Sequence, residues 1–183
     1  MTTGPQSIAI DSGGNLFFPL GSVIVRLDTT GNATIVAGGG RNYPGDNGPA
    51  TSAQLSGAQA VAVDNSNNLY IAENARIRKV TNGNIITIAG NGTEGFTGDG
   101  GPAVSAELNY PRSIAVDSAG VVYIADTSNR RVRKIAGGII TTIAGNGDSG
   151  TAGDNGLAVN AQLTQPWSLA VDSLGSVYIA DYG

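Results

Sequence analysis

Neither histidine nor cysteine occurs in the 183 residues of this chain, so any chemistry must come from carboxylates, hydroxyls, amides and cations. The missing histidine removes the commonest general base and transition-metal ligand. Without cysteine there is no thiolate nucleophile, no disulfide framework and no pointer to redox compartment. A nucleophilic serine would need activation by lysine or aspartate alone, and a zinc site would have only carboxylates. The carboxylates recur at a fixed interval. Asp11, Asp64, Asp117 and Asp172 each close an apolar-Ala-apolar-Asp run, such as Val61-Ala62-Val63-Asp64, and stand 53, 53 and 55 residues apart. A catalytic acid is not needed in every copy of a repeat. These four are therefore expected to accept backbone N–H bonds across a turn.

Asp46, Asp99 and Asp154 form a second set, each inside Gly-Asp-x-Gly. A carboxylate among exposed loop carbonyls could hold calcium. The dense alternating acids of a dedicated calcium loop are absent, so a helix cap or Asx turn is the simpler reading and no metal or other cofactor is assigned. Gly90-Asn91-Gly92 lacks the following Lys-Ser/Thr of a phosphate loop. A third set, Glu73, Asp126 and Asp181, precedes basic runs such as Arg131-Val132-Arg133-Lys134-Ile135. Pairing of Asp126 with Arg130 or Arg131, partly exposed and weak, accounts for those charges more simply than an anion site.

The sharpest recognition candidates lie just before the apolar runs. Gly4-Pro5-Gln6-Ser7, Gly57-Ala58-Gln59-Ala60, Tyr110-Pro111-Arg112-Ser113 and Gln165-Pro166-Trp167-Ser168 share a frame, while Gln6, Gln59, Arg112 and Trp167 differ in chemistry. Changing side chains on a repeated frame suit a shaped ligand face, and Tyr110, Arg112 and Trp167 are of the types enriched at binding hot spots. The alternative is neutral divergence, with Trp167 packed between repeats.

The elements that would position these residues are short strands. After the inner run and its Asp come Gly14, Asn67, Gly120 and Gly175, which tolerate positive φ in a hairpin turn. A second strand follows, as in Leu69-Tyr70-Ile71-Ala72, then the basic third strand, then a fourth such as Ile85-Ile86-Thr87-Ile88-Ala89. In the third strand, alternation is expected to put the long cations on one face and the β-branched residues on the other. Copy one departs at Leu16-Phe17-Phe18-Pro19, where proline should end the strand or leave it on an edge. Connectors Gly38 to Leu55, Gly90 to Leu108 and Gly145 to Leu163 each end in Ala-x-x-Ala-x-Leu, which predicts about one and a half turns of helix. Four strands per copy of about fifty residues make an all-β propeller of four-stranded antiparallel blades. Residues 1–183 form one domain, with copies at about 5–55, 58–108 and 111–163 and a partial copy at 166–183.

Bulk composition excludes some classes. Net charge −4 and a sequence pI near 4.6 oppose a nucleic-acid surface, which needs a basic face. No apolar run approaches membrane-spanning length, and the N-terminus lacks a basic region followed by an apolar one. Compartment stays open, since a parent protein could be exported.

The stretch from Ser113 to Ile135 closely resembles an NHL repeat in its hydrophobic pattern and in its turn, acid and arginine positions, and the Gly-rich connectors resemble those of bacterial multi-repeat NHL proteins. That resemblance implies a propeller, often of six blades, serving as a platform for proteins and sometimes RNA or carbohydrate. Some related propellers are enzymes, notably an amidating lyase with metal in its channel. The expectation is about three and a half blades per chain, with the ring completed by self-association, most simply as a dimer. The module would be non-enzymatic, presenting one face to a protein or small polar ligand. The rivals are an engineered or excised fragment active only in assembly, and a piece of a metal-dependent propeller lyase or hydrolase.

Overall fold

The four-strand pattern is realised in a computed structural model that describes residues 6–183. Blade 1 holds β1 (Ala9–Ile10), β2 (Leu16–Leu20), β3 (Val23–Leu27) and β4 (Ala33–Gly38). A two-residue strand β5 (Gly48–Pro49) lies in the first connector. Blade 2 follows with β6 (Ala60–Val63), β7 (Leu69–Ala72), β8 (Ile77–Thr81) and β9 (Asn84–Ala89), then blade 3 with β10 (Ser113–Val116), β11 (Val122–Asp126), β12 (Arg131–Ala136) and β13 (Ile139–Ala144). The fourth copy contributes β14 (Pro166–Val171) and β15 (Val177–Asp181). Strands within each blade are antiparallel and in chain order, with β5 added to the outer edge of β9.

The recurring aspartate is what turns the inner strand back. Oδ1 of Asp11, Asp64, Asp117 and Asp172 accepts the N–H groups two and four residues further on, at 2.8–2.9 Å. Gly14, Asn67, Gly120 and Gly175 close the turn at φ between +60° and +84°. In blade 2, burial pushes the Asp64 carboxyl up, but hydrogen bonds from Asn68, Tyr70 and Ser66 outweigh it and hold the group below its ordinary range. These acids are structural.

Both faces of an inner blade are covered by its neighbours, and the expected split of the third strand holds only in part, since Lys79 lies over Tyr70 on the Ile77 face while Val80 packs on the other. Arg78 and Arg133 lie on the opposite face from Ile77 and Val132, yet all four are 0% exposed. Alanines and branched aliphatics fill the wedges. Ala37, Ala50, Leu55 and Ile71 pack between blades 1 and 2, and Ala72, Ala103, Leu108 and Ile124 between blades 2 and 3.

Two other expectations change. The connector helices are single 3₁₀ turns, Ala50–Ser52, Ala103–Ser105 and Ala158–Asn160. Alanines three apart eclipse on a 3₁₀ turn, and Ala50 and Ala53 both point into the wedge. Pro49 and Pro102 precede the turn in extended backbone (ψ 130° and 125°) rather than opening a helix. Strand β2 runs on through Pro19, which pairs with Ile24. On its other side β1 reaches only Ala9, opposite Phe17, so no ladder bond is asked of the missing N–H.

Every complete blade also ends in a glycine pressed against its own third strand. A Cβ at Gly38, Gly90 or Gly145 would fall 2.2–2.3 Å from the carbonyl oxygen of Ser22, Ala75 or Arg130. Gly83, also at positive φ, has open space around it. Replacing Gly83 by alanine is expected to cost about 1–2 kcal/mol for the left-handed backbone alone. Gly90→Ala adds a clash to the same backbone cost, so its urea midpoint should fall well below that of Gly83→Ala; equal midpoints would contradict the packing.

Candidate functional site

A guanidinium sealed from water needs carboxylates around it, and each inner blade supplies two. Arg78 donates from Nη1 to Glu73 at 2.8 Å and from Nη2 to Asp46 at 2.7 Å. Arg133 pairs with Asp126 at 3.2 Å and Asp99 at 2.7 Å, its Nε also donating to Asp99. Glu73 and Asp126 sit just beyond, or at the end of, the blade's second strand, and Asp46 and Asp99 come from the connector leading into the blade. Burial pushes the Asp126 carboxyl up, to about 6, against hydrogen bonds from Asn129, the Asn109 N–H and Arg133.

These contacts correct two sequence readings. Asp126 pairs with Arg133 rather than Arg130 or Arg131. Arg130 is left-handed (φ 53°) and donates to the Gly147 carbonyl, while Arg131 donates to Asn129 and Asn146 carbonyls beneath the Phe96 ring. Asp46 and Asp99, expected to cap a helix or close an Asx turn, instead engage arginine through their carboxylates. Asp154, their equivalent, is exposed and without an ion pair among the described residues. The signal was present in the sequence, because Asp46, Glu73 and Arg78 recur together as Asp99, Asp126 and Arg133, 53, 53 and 55 residues on.

The recognition candidates do gather at one end of the inner strands. Ser7 Oγ bonds the Val61 N–H at 3.2 Å and Ser113 Oγ accepts from the Leu169 N–H at 3.0 Å, tying adjacent inner strands together there. Gln6, Gln59 and Tyr110 line one cavity of about 340 Å³ with Pro19 and Gly57. Tyr110 and Arg112 line a second of about 450 Å³ with Ser128, Arg130 and Gln165. The Arg112 guanidinium lies 4.0 Å from the Trp167 ring centre and 5.3 Å from that of Tyr110. Trp167, 40% exposed, also meets Tyr182 at 5.8 Å, so it is a wall of the mouth rather than a plug between blades.

Two details set this cluster apart. Arg76, Arg78, Arg130, Arg131 and Arg133 all donate to protein oxygens. Among the described residues the side chains of Arg26, Arg41 and Arg112 have no hydrogen bond or ion pair, and of these three Arg112 alone lies against aromatic rings. Tyr110 sits at φ 55°, the place of Gly57 (φ +67°) in blade 2, with its N–H bonded to the Asn74 carbonyl. A bulky residue held left-handed costs about 1–2 kcal/mol.

The family model of the Teneurin NHL domain matches residues 89–150, the stretch from the end of β9 to the third connector. Mouse Teneurin-1 is 30% identical over 210 residues, taking in 98% of this chain and 8% of the relative. The chain is built of NHL repeats. It spans 8% of the length of the curated relatives it matches first. Solved structures agree on the architecture of these NHL blades. A structural-genomics protein of unknown function from Bacteroides thetaiotaomicron is 22% identical with TM-score 0.73, over 96% of this chain and 44% of that one. An auxiliary nutrient binding protein from Bacteroides ovatus is 20% identical with TM-score 0.70, over 98% and 46%. Virginiamycin B lyase from Staphylococcus aureus is 14% identical with TM-score 0.60, over 99% and 50%. These likenesses show the fold alone, and the resemblance to bacterial multi-repeat proteins is carried no further by them.

Blade 1 does without the ion set, since a buried Val25 stands where blade 2 has Arg78 and a half-exposed Leu20 where it has Glu73. Arg78→Val alone should cost about 3–5 kcal/mol, because it strands the buried Glu73 carboxylate. Glu73→Leu with Arg78→Val should recover most of that loss, Asp46 being partly exposed and able to rehydrate. Chemical denaturation of both variants checks the order.

Proposed function

We propose that this NHL segment is a non-catalytic binding module whose mouth, between blades 3 and 4, takes a small carboxylate-bearing ligand. The carrying observation is Arg112. Its guanidinium is held by two aromatic rings while its N–H donors find no acceptor among the described residues, and a planar carboxylate matches such a fork with two charge-assisted bonds. Arg130 and the hydroxyl of Ser128 line the same cleft, and the exposed part of Trp167 offers an apolar wall to the rest of the ligand. The name of the Bacteroides ovatus protein, auxiliary nutrient binding protein, is in keeping with this reading. A lyase or hydrolase reading would have to do without histidine and cysteine, and finds no activated nucleophile among the described residues of this mouth.

Trp167 is the single tryptophan, so its fluorescence reports on the cleft. Glucuronate is expected to quench it saturably, while glucose binds at least tenfold more weakly. Arg112→Gln, which removes no side-chain hydrogen bond among the described residues, should weaken glucuronate binding tenfold or more. No quenching, or equal affinity in the variant, overturns the reading.

Self-association belongs to the same scaffold role. Ile8 is 63% exposed on blade 1, where its equivalents Val61 and Ile114 are 4% and 6% exposed, and Ile10 and Ile35 are also open. An uncovered blade face of this kind fits another blade. Light scattering should give twice the 18.4 kDa chain mass at micromolar concentration, falling to one chain for Ile10→Glu. A monomer at all concentrations removes this part of the proposal.

A further inference from the structure

Between blades 1 and 2, at the far end from the mouth, a cavity of about 580 Å³ is bordered by Asp11, Phe17 and Arg26 on one side and by Asn67, Leu69 and Asn82 on the other. Its chemistry departs from the repeat on both sides. Asn67 and Asn82 stand where blade 3 has Gly120 and Gly137, so amides enter that the turns do not require. In the other three copies a tyrosine hydroxyl donates to Oδ2 of the turn aspartate, from Tyr70 to Asp64 at 3.0 Å, Tyr123 to Asp117 at 3.1 Å and Tyr178 to Asp172 at 3.2 Å. Phe17 holds that place in blade 1. Among the described residues Oδ2 of Asp11 therefore accepts only from Asn15 Nδ2, at 2.8 Å.

Arg26 borders the same cavity from the next strand, directly opposite Phe17 in the ladder. Among the described residues its guanidinium makes no hydrogen bond or ion pair, and its Nε is buried without a partner. A donor left in that state costs free energy that an incoming acceptor recovers. Asp11 is charged at neutral pH. Burial pushes its carboxyl up, but hydrogen bonds from Asn15 and Gly13, together with the charge of Arg26, hold it below its ordinary range. Cation and anion thus border one cavity without pairing with each other.

We propose that this cavity binds an α-amino acid as its zwitterion. The ligand's ammonium donates to the open Oδ2 of Asp11, in the place a tyrosine hydroxyl takes elsewhere, and its carboxylate takes the Arg26 guanidinium. The amides of Asn67 and Asn82 supply further donors along the cavity wall. An apolar ligand side chain lies against Phe17 and Leu69, which already belong to the hydrophobic wedge between the two blades. A ligand with one charge would leave the opposite side of the cavity unanswered, which separates this site from the carboxylate cleft at Arg112.

The probe is L-leucine. With excess glucuronate present to fill the mouth, calorimetry should show one leucine per chain. 4-Methylpentanoate, which is leucine without its ammonium, and 3-methylbutylamine, which is leucine without its carboxylate, should each bind at least tenfold more weakly. Phe17→Tyr installs the residue found in the other three copies, so the fold is kept, and its hydroxyl should occupy Asp11 and weaken leucine binding tenfold or more. Arg26→Gln should weaken it as much, while Arg112→Gln leaves it unchanged. No binding, an analogue as tight as leucine, or an affinity indifferent to either Phe17→Tyr or Arg26→Gln overturns the proposal. Loss of leucine binding in Arg112→Gln overturns it too, by placing leucine at the mouth. Quenching of Trp167 by glucuronate reads the mouth separately, so either site can fail alone.

Discussion

Sealing an arginine inside a stack of strands is tolerable only when its donors are met by oxygen and its charge by carboxylate, and that demand shapes each inner blade. Arg78 and Arg133 are wholly buried, and each draws one acid from its own blade and one from the incoming connector. The pairing fixes where a long Gly-rich segment must lie. Without it, the loop from Gly90 to Leu108 has few apolar anchors beyond Ala103, Ala106 and Leu108. A buried ion set adds little net stability over hydrocarbon, but leaving it half made is costly, so it selects one connector path over others. Blade 1, with Leu20 and Val25 in these places, shows that the fold itself survives without the ions.

The remaining constraints are backbone ones. The aspartate after each inner strand satisfies the turn's N–H groups, the glycine after each fourth strand admits a carbonyl, and paired alanines let the 3₁₀ turn enter the wedge. None of these residues has a reactive role. They recur because geometry recurs, and the functional freedom of the scaffold is confined to places where side chains meet water.

Much of the fold was legible because a period of about fifty residues amplifies weak strand signals, and the turn residues Asp64 and Asn67 carry their mechanism in their type. The faces of the third strand were not. Alternation says which side Arg78 points to, and only the stacking of a neighbouring blade makes that side dry. The partner of Asp126 was missed for a related reason. Arg130 and Arg131 are closer in sequence, but a left-handed turn at Arg130 swings both toward carbonyls, leaving the deeper Arg133 for the acid. Pro19 misled because its missing donor matters only if a partner strand reaches it, and β1 stops short.

At the mouth the same logic runs in reverse. The frame before each inner strand is kept by backbone bonds such as Gln59 N–H to Ala72 and Arg112 N–H to Ala125, so side chains there can change without disturbing a blade. Tyr110 nevertheless occupies a left-handed position that Gly57 fills at no cost in blade 2. Accepting that strain brings an aromatic ring to one side of Arg112, with Trp167 on the other. A guanidinium steadied by rings keeps its donors, whereas one steadied by carboxylates, like Arg133, gives them up. Two arginines from neighbouring segments of one blade thus have opposite fates. Arg133 is consumed by the architecture, and Arg112 is positioned by it and left available.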